Sequence, residues 1–260
     1  MSQNENVEAL GIGVAGQVDK HGVVQYSPNL HWRGVPLKTR LEKELGLPVF
    51  VTNDVRAATI GEWRFGSGRN VEDLAVVFVG TGIGGGVVIG GNIISGCSNT
   101  GGELGHITIV VGGRRCHCPN EGCLEAYAGG WAIAERAQEA VKSNLGLGRH
   151  LTSLAHGIGN ITAETVSHAY HEGDALACRI IEETGRFLAA GAVSIINSFN
   201  PCMLIFGGGV IEGLPELIMA VDGIVRQRAL EAAVEELKIV KAALGSDAGV
   251  IGAAALAKDL

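Results

Sequence analysis

Four residues of types that bind transition metals lie close together in the chain: His106, Cys116, Cys118 and Cys123. Their order, H-x9-C-x-C-x4-C, offers one imidazole and three thiolates, which is a complete tetrahedral ligand set for Zn²⁺. Because this set leaves no position for a catalytic water, the pattern predicts a structural zinc site. Two alternatives stay open, a loop with free thiols and a redox pair at Cys116 and Cys118. Zinc is favoured because a metal stabilises a loop that has little core of its own.

A glycine-rich stretch, VFVGTGIGGGVVIGG at residues 77–91, has the composition of a phosphate-binding loop. Glycines can take positive φ, so consecutive N–H groups after Thr81 can converge on phosphate oxygens. The glycines concerned are Gly82, Gly84, Gly85 and Gly86. The alternative is a hairpin turn without a ligand. The stretch matches neither the Walker pattern, whose lysine it lacks, nor a dinucleotide fingerprint placed before a helix.

Carboxylates and an amide supply further candidates. In the segment TND, Asp54 has the chemistry of a general base for a substrate hydroxyl, and Asn53 can hydrogen-bond a neighbouring hydroxyl. The alternative for this pair is a helix N-cap. Glu103 and Glu125 lie beside zinc-ligand candidates, and each is either a ligand-binding group or an ordinary surface carboxylate.

The elements that must position these residues follow a βαβ pattern, because short apolar runs alternate with amphipathic ones. The segment ending in Asn53 and Asp54 is a predicted strand running into a helix, which is a common place for ligand-binding side chains. A hairpin is predicted around Thr81 to Gly84. The predicted strands are 9–16, 47–54, 74–80, 85–94 and 202–210, and the predicted helices are 55–66, 123–144, 162–170, 174–198, 215–235 and the C-terminal segment from residue 247.

Composition narrows the class of partner. The chain has 260 residues, 47% of them hydrophobic and 18% charged, which is typical of a folded protein of two small domains or one large domain. A net charge of −7 without Lys/Arg runs argues against nucleic acid or anionic membrane as a partner and favours a small molecule. The first residues lack the features of a signal peptide, and glycines interrupt the most apolar stretch. We therefore expect a cytoplasmic protein without a membrane-spanning segment.

Taken in order, these motifs resemble the ROK family, which groups bacterial repressors, open reading frames and sugar kinases within the actin-like ATPase folds. GIGVAGQVD is similar to the family's G-I-G-x-P-G-x-V-D segment, and PVFVTNDVRAATIGE to its N-D-x-N-x-A-A-x-x-E segment. GGELGHITI and CHCPNEGCLEAY resemble the E-x-G-H and C-x-C-G-x-x-G-C-x-E signatures. VFVGTGIGGGVVIGG resembles the second phosphate loop, and LIFGGGV the segment beside the adenosine. The resemblance runs from about residue 9 to the end and implies an α/β, two-lobed actin-like ATPase (ribonuclease H-like) fold.

The resemblance also implies an activity, that of a glucokinase-like hexose kinase that uses ATP and Mg²⁺. By it, Asp54 takes the proton from the sugar 6-hydroxyl as that hydroxyl attacks the γ-phosphate. Asn53, Glu103, His106 and Glu125 would bind the other hydroxyls. His106 would hold Zn²⁺ with one ring nitrogen and sugar with the other, so that the metal orients a sugar ligand. Which hexose is preferred stays open, with glucose as the first candidate.

The same resemblance assigns nucleotide-binding roles. Thr81 and Gly82 would face the ATP phosphates, and Gly208 and Gly209 the adenosine. It also leads us to expect a homodimer or larger assembly. We expect a first lobe of residues 1–71 with the final helix, 247–260, and a second lobe of residues 72–246. The second lobe would contain the predicted zinc-binding segment 106–123, named here the metal loop.

The sequence departs from the family pattern in three places. Ala15 stands where the family often has proline, and Pro119 stands where it has glycine after the second cysteine. No D-x-G-G-T segment precedes ALGIGVAG, so we expect the first lobe to be truncated at its N-terminus. By the resemblance, the aspartate of the D-x-G-G-T segment would lie near Mg²⁺ and the phosphates. Phosphoryl transfer depends on such positioning.

Three hypotheses follow. The favoured one is a fragment, or a late-start version, of a working kinase. The second is a sugar-binding or regulatory ROK protein without kinase activity. A ROK repressor is disfavoured because those proteins carry an N-terminal helix-turn-helix, which this sequence lacks.

Overall fold

Strands and helices alternate along the chain in the computed structural model, which describes residues 7–258. The N-terminal third begins with strands and contains two helices. Its elements are β1 (Leu10–Val14), β2 (Gln17–Val18), β3 (Val24–Ser27), β4 (Trp32–Val35), α1 (Leu37–Leu45), β5 (Val49–Asn53), α2 (Asp54–Arg64), β6 (Leu74–Val79), β7 (Ile83–Ile89) and β8 (Asn92–Ile93).

The rest of the chain is mainly helical. Its elements are α3 (Glu125–Ala128), α4 (Gly130–Ser143), α5 (Arg149–Leu154), α6 (Ala163–His171), α7 (Ala175–Phe199), β9 (Met203–Gly207), α8 (Gly209–Gly213), α9 (Glu216–Arg228), α10 (Glu231–Val234), β10 (Lys238–Lys241) and α11 (Ala248–Lys258). Short 3₁₀ turns lie at Leu104–His106, Ile158–Asn160 and Gly245–Asp247. No helix in the described range 7–258 is both long and apolar enough to cross a membrane.

A parallel pair of strands, β1 and β5, leads to the start of α2. The register pairs Leu10 with Val49 and Val14 with Asn53, so the polar segment TND follows directly at the carboxyl end of the pair. The predicted strands at 9–16 and 47–54 are confirmed, although both are shorter than predicted. Helix α2 begins at Asp54, one residue before the predicted start.

An antiparallel sheet in the order β2-β3-β4 follows β1, and the sequence analysis did not predict it. Its strands have two to four residues, which is shorter than the alternating pattern needed to recognise a strand. A small cluster of buried valines, Val14, Val18 and Val24, joins it to β1.

Five strands form the largest sheet, in the order β10-β9-β6-β7-β8. All five residues of β9 are buried, as are five of the six residues of β6. Continuous apolar runs of this kind are typical of strands covered on both faces. The hairpin between β6 and β7 is confirmed, but its turn lies at residues 80–82 and β7 already begins at Ile83.

Two predicted helices are each divided in the structure. The segment 123–144 forms α3 and α4, which are separated where Gly129 takes an extended conformation. The segment 215–235 forms α9 and α10, separated at Ala229 and Leu230 for the same reason. The predictions for 162–170 and 174–198 are confirmed by α6 and α7. Helix α7 is capped at its start by the Asp174 side chain and ends at Phe199, followed by the C-cap residue Asn200 with a φ of 46°.

Contacts within the chain define two units. The first contains the residues up to Leu74, the segment Gly85–Gly102 and the residues from Ala242 onward; the second contains Ala75–Gly84 and Glu103–Lys241. The lobe boundaries predicted from the sequence stay a prediction, and the units differ from them in assigning residues 85–102 to the first unit.

Helix α11 packs on β1 and α2 within the first unit. A side chain at Gly252 would place its Cβ 1.7 Å from the Ala57 carbonyl oxygen, and one at Gly11 would lie 1.8 Å from the Ala253 carbonyl oxygen. Glycine is therefore required where α11 meets its neighbours. The buried Glu62 carboxylate adds polar contacts, because it accepts hydrogen bonds from the backbone N–H groups of Ala243 and Leu244.

Candidate functional site

The four metal-ligand candidates lie together in the second unit. One ligand atom from each of His106, Cys116, Cys118 and Cys123 falls within 4.8 Å of all the others. Cys116 Sγ is 3.7 Å from His106 Nδ1, and Cys118 Sγ is 3.6 Å from Cys123 Sγ. Tetrahedral Zn²⁺ with Zn–S bonds of about 2.3 Å and Zn–N bonds of about 2.0 Å needs ligand separations of about 3.5–3.8 Å. These residues, named here the metal cluster, therefore fit zinc in number, chemistry and spacing.

The three thiols of the metal cluster differ in acidity. Burial raises the pKa of Cys116 to about 12, and burial also raises the pKa of Cys123. Burial acts in the same direction on Cys118, but hydrogen bonds from the Asn120 N–H and the neighbouring thiols outweigh it and lower the pKa. A bound cation would favour the thiolate form of all three, because metal ligation requires deprotonated cysteine.

The metal loop is shaped by backbone pairing around one glycine. Gly122 has a φ of 78°, and a Cβ there would lie 1.7 Å from the Val110 carbonyl oxygen. Its carbonyl accepts hydrogen bonds from the N–H groups of Ile109 and Val110. The loop thus returns on itself and brings Cys123 beside the 3₁₀ turn that ends at His106.

Glu125 connects the metal cluster to the turn at residues 80–82, named here the phosphate turn. Its Oε2 accepts a 2.8 Å hydrogen bond from the Ile83 N–H, and its Oε1 lies 3.8 Å from Cys116 Sγ. A Cβ at Gly82 would lie 2.3 Å from Glu125 Oε2. The carboxylate can reach the phosphate turn only because residue 82 is glycine.

The phosphate turn is also held by the start of α4. The Gly130 N–H donates to the Gly80 carbonyl at 2.9 Å, and the Trp131 N–H donates to the Thr81 carbonyl at 2.9 Å. The expectation of positive φ is wrong for Gly82, Gly84, Gly85 and Gly86, which all lack it. Within the glycine-rich stretch, positive φ occurs instead at Gly90 and Gly91, in the turn between β7 and β8. Gly84, Gly85 and Gly86 lie within β7, and Gly82 serves close approach.

A cavity of about 930 Å³, named here the large cavity, lies within the second unit. Its walls include Thr81 of the phosphate turn, Gly209 at the start of α8, and His168 of α6. Gly208 precedes α8 with a φ of 91° and packs on β6, where a Cβ would lie 2.5 Å from the Val79 carbonyl oxygen. The structure thus brings two of the four nucleotide-site candidates, Thr81 and Gly209, to one cavity wall. Among the described lining residues, Gly82 and Gly208 do not occur.

Asn53 and Asp54 belong to the first unit, at the junction of β5 and α2. The N-cap interpretation is confirmed for Asn53, whose Oδ1 accepts from the Arg56 N–H at 3.0 Å while its Nδ2 donates to the Gly16 carbonyl. Asp54 is half-buried and lies in the first turn of α2. Gly13 permits this arrangement, since a Cβ there would lie 3.1 Å from Asp54 Cα.

Glu103 is exposed and immediately precedes the 3₁₀ turn Leu104–His106. Its backbone carbonyl accepts a hydrogen bond from the His106 N–H, but the metal cluster does not include its carboxylate. The structure therefore relates Glu103 to His106 through the backbone alone.

Sequence analysis missed one residue that touches several of these features. Trp131 lines the large cavity and packs against the buried group that contains Cys116 and Cys123. The signal available was the pair of glycines before it, because Gly130 permits close approach to the phosphate turn. A Cβ at Gly130 would lie 2.7 Å from the Gly80 carbonyl oxygen.

The strand order, the glycine turns and the Cys/His cluster together define an α/β protein with the actin-like ATPase fold. The chain belongs to the ROK family, whose model matches residues 1–260.

Comparison with individual proteins gives the same family and two kinds of activity. The chain is 35% identical over 251 residues to a glucokinase of Halalkalibacterium halodurans, an alignment that covers 96% of this chain and 76% of that protein. A ROK family glucokinase from Streptomyces griseus, solved with glucose and AMPPNP, is 35% identical with a TM-score of 0.87, covering 100% of this chain and 84% of that one. A ROK family transcriptional regulator, a homologue of the Escherichia coli MLC protein, is 31% identical with a TM-score of 0.84, covering 96% of this chain and 62% of that one. Glucokinase homologues therefore support sugar phosphorylation, and the regulator makes a regulatory role an alternative.

Proposed function

We propose that this protein is an ATP-dependent hexose kinase that phosphorylates the 6-hydroxyl, with glucose as the first candidate substrate. The observation that supports it most is the large cavity, which has Thr81 and Gly209 in its walls, in a chain 35% identical to a glucokinase solved with AMPPNP. The triphosphate would lie at the phosphate turn and the nucleoside between α6 and α8. Mg²⁺ would enter as part of the MgATP substrate.

Asp54 is the proposed general base. It would take the proton from the 6-hydroxyl as the hydroxyl oxygen forms a bond to the γ-phosphorus, while the bond between that phosphorus and the β–γ bridging oxygen breaks and ADP leaves. Its place supports this role, because Asp54 lies where strand β5 runs into helix α2, and such junctions commonly carry ligand-binding side chains.

The proposed sugar ligands are Asn53, Glu103, His106 and Glu125. Asn53 keeps one amide hydrogen for a sugar hydroxyl, because its hydrogen bonds to Arg56 and Gly16 use Oδ1 and a single N–H. His106 has its Nδ1 in the metal cluster, so Nε2 would serve the sugar. Zn²⁺ at the metal cluster would fix the orientation of that imidazole.

Two features of the proposal go beyond the chain's own geometry. We infer a homodimer or larger assembly and a cytoplasmic location. The alternative function is a sugar-binding or regulatory ROK protein without kinase activity, which the likeness to the MLC homologue favours.

The test is to incubate the purified chain with MgATP and glucose and to measure ADP and glucose 6-phosphate, with glucose binding measured separately by calorimetry. Asp54→Asn should lower kcat about 10²–10⁴-fold and leave glucose affinity nearly unchanged. Asp19→Asn is the matched control, because Asp19 is a carboxylate of the same unit that accepts bonds only from its own loop in the described contacts. Glucose binding without turnover in the unmodified chain would favour the regulatory alternative, and full turnover in the Asp54 variant would remove its assigned role.

A further inference from the structure

Two aromatic rings connect the metal loop to the large cavity. His117 lies between the metal-cluster residues Cys116 and Cys118, and its ring stacks on that of Trp131 with 4.1 Å between centroids and 24° between planes. Trp131 is in turn one of the residues that line the large cavity. Its indole therefore separates the metal loop from the proposed nucleotide site and contacts both.

A hydrogen bond holds the backbone of Trp131 in place, but the orientation of its ring depends on packing. The backbone N–H of Trp131 donates to the Thr81 carbonyl, which holds this residue against the phosphate turn. The indole Nε1 is buried and has no hydrogen-bond partner among residues 7–258. Because no hydrogen bond orients the ring, its orientation depends on the stack with His117 and on the apolar side chains around it.

A metal at the cluster would act directly on this stack. Cys116 and Cys118 flank His117 in the chain, so a cation that binds both thiolates fixes the backbone on either side of His117. Without the cation, that short segment relies on the backbone bonds of the exposed loop, such as the one from the Cys116 N–H to the Asn120 carbonyl. His117 itself is exposed, and no hydrogen bond from the described part of the chain restrains its ring.

We propose that Trp131 is a positioning residue for the nucleotide, and that His117 couples it to the metal cluster, so that Zn²⁺ and nucleotide raise each other's affinity. This inference rests on the proposed function, because it needs nucleotide in the large cavity. It adds a route by which the metal affects the phosphate donor, separate from the route to sugar through His106. Thermodynamic linkage requires the coupling to be equal in both directions.

The coupling between zinc binding and nucleotide binding should have the size of the contribution of one aromatic stack. A pair of stacked aromatic rings changes a binding constant by about two- to tenfold. Zinc-loaded protein should therefore bind AMPPNP about two- to tenfold more tightly than stripped protein, and AMPPNP should raise the zinc affinity by the same factor.

The experiment measures AMPPNP affinity by calorimetry and zinc affinity by competition with a chromophoric chelator, each with and without the other ligand, in the full chain. His117→Ala should keep its zinc but bind AMPPNP about two- to tenfold more weakly, with the coupling abolished. His117→Phe should restore the coupling, because phenylalanine can stack on the indole.

Tryptophan emission gives a second measurement. The emission should shift on zinc removal, and Trp131→Phe should lose that shift while Trp32 and Trp63 remain.

The outcomes separate this inference from the proposed function. Coupling of the same size in His117→Ala and the unmodified chain would overturn it, as would AMPPNP binding that is independent of zinc. A purely structural role of His117 would weaken both affinities without abolishing the coupling. If zinc-loaded, unmodified protein does not bind AMPPNP at all, the proposed kinase function itself is wrong.

Discussion

The need for glycine at position 82 comes from a contact with a residue that is distant in the sequence. The backbone conformation of Gly82 does not itself require glycine. Its φ is not positive, but the Glu125 carboxylate lies where its Cβ would be. The carboxylate accepts from the Ile83 N–H, 42 positions away in the chain. One steric requirement thus keeps a proposed sugar ligand in contact with the phosphate turn.

Gly82→Ala is expected to destabilise the protein by about 1–3 kcal/mol, because the new methyl group must displace the carboxylate. Gly80→Ala is the matched control, since a Cβ there meets nothing within 4 Å and the φ of Gly80 is not positive. Urea denaturation monitored by circular dichroism measures both. Equal stability of the two variants would show that Glu125 moves away without cost.

Individual site residues were predictable to the extent that their signal is local. The four residues of the metal cluster could be grouped from the sequence because they lie within one loop and their spacing can be counted, and the structure brings their side chains together. The close contact of Gly82 with Glu125 was not predictable, because it depends on how distant segments pack. For the same reason the contacts of Trp131 with the large cavity and the metal cluster were not predicted, although the residue follows two glycines.

At the scale of elements, we expect the order of the metal loop to depend on the proposed zinc ligation. Cys118→Ser should lower the zinc affinity at least about a hundredfold, because removing a ligand costs more than the 10–100-fold typical of an outer-shell change. It should also weaken glucose binding, through loss of the metal that orients His106. Zinc content is measured by a chelator assay, with Cys97→Ser as control because Cys97 is an exposed cysteine outside the metal cluster. Full zinc content in the Cys118 variant would contradict the ligand assignment.

The contact between α11 and α2 permits no side chain at Gly252. Gly252→Ala should lower the free energy of unfolding by about 1–3 kcal/mol or more, because the methyl group of the new alanine would overlap the Ala57 carbonyl. Gly249→Ala, in the same helix, meets nothing within 4 Å and should leave stability unchanged or raise it by up to about 1 kcal/mol. Chemical denaturation of the pair is the measurement, and a gain in stability in both variants would show that helix propensity, and not the contact with Ala57, decides the effect.

Elements were predictable where their periodic pattern was long. Helix α7 has 25 residues and was predicted within one residue at each end. The sheet β2-β3-β4 was missed, because strands of two to four residues give no usable period. Helix α1 was missed as well, and none of its nine residues is buried. The breaks at Gly129 and Ala229 were also missed, since an amphipathic pattern continues across both.

For the whole molecule, ligand binding should appear as a gain in thermal stability. Glucose or AMPPNP at a hundredfold its Kd should add about 2.7 kcal/mol. At about 2–4 °C per kcal/mol for a chain of this size, the melting temperature should rise by about 5–10 °C. Differential scanning calorimetry measures the shift, with L-glucose as the control because it has the same composition and opposite handedness.

A rise with D-glucose and none with L-glucose would show stereospecific binding by the folded protein. No rise with either D-glucose or AMPPNP would count against both the kinase and the sugar-binding alternative. A rise with D-glucose alone would favour the regulatory alternative.

The division of the first unit into three chain segments has a consequence for biosynthesis. Strand β1 and helix α2 are synthesised well before α11, which packs on both. At about 5–20 residues per second, the nascent β1 waits roughly 10–50 seconds for this partner. The unit that carries Asp54 can therefore be completed only after α11 has left the exit tunnel, and in that interval the surfaces of β1 and α2 that α11 later covers stay open to chaperones.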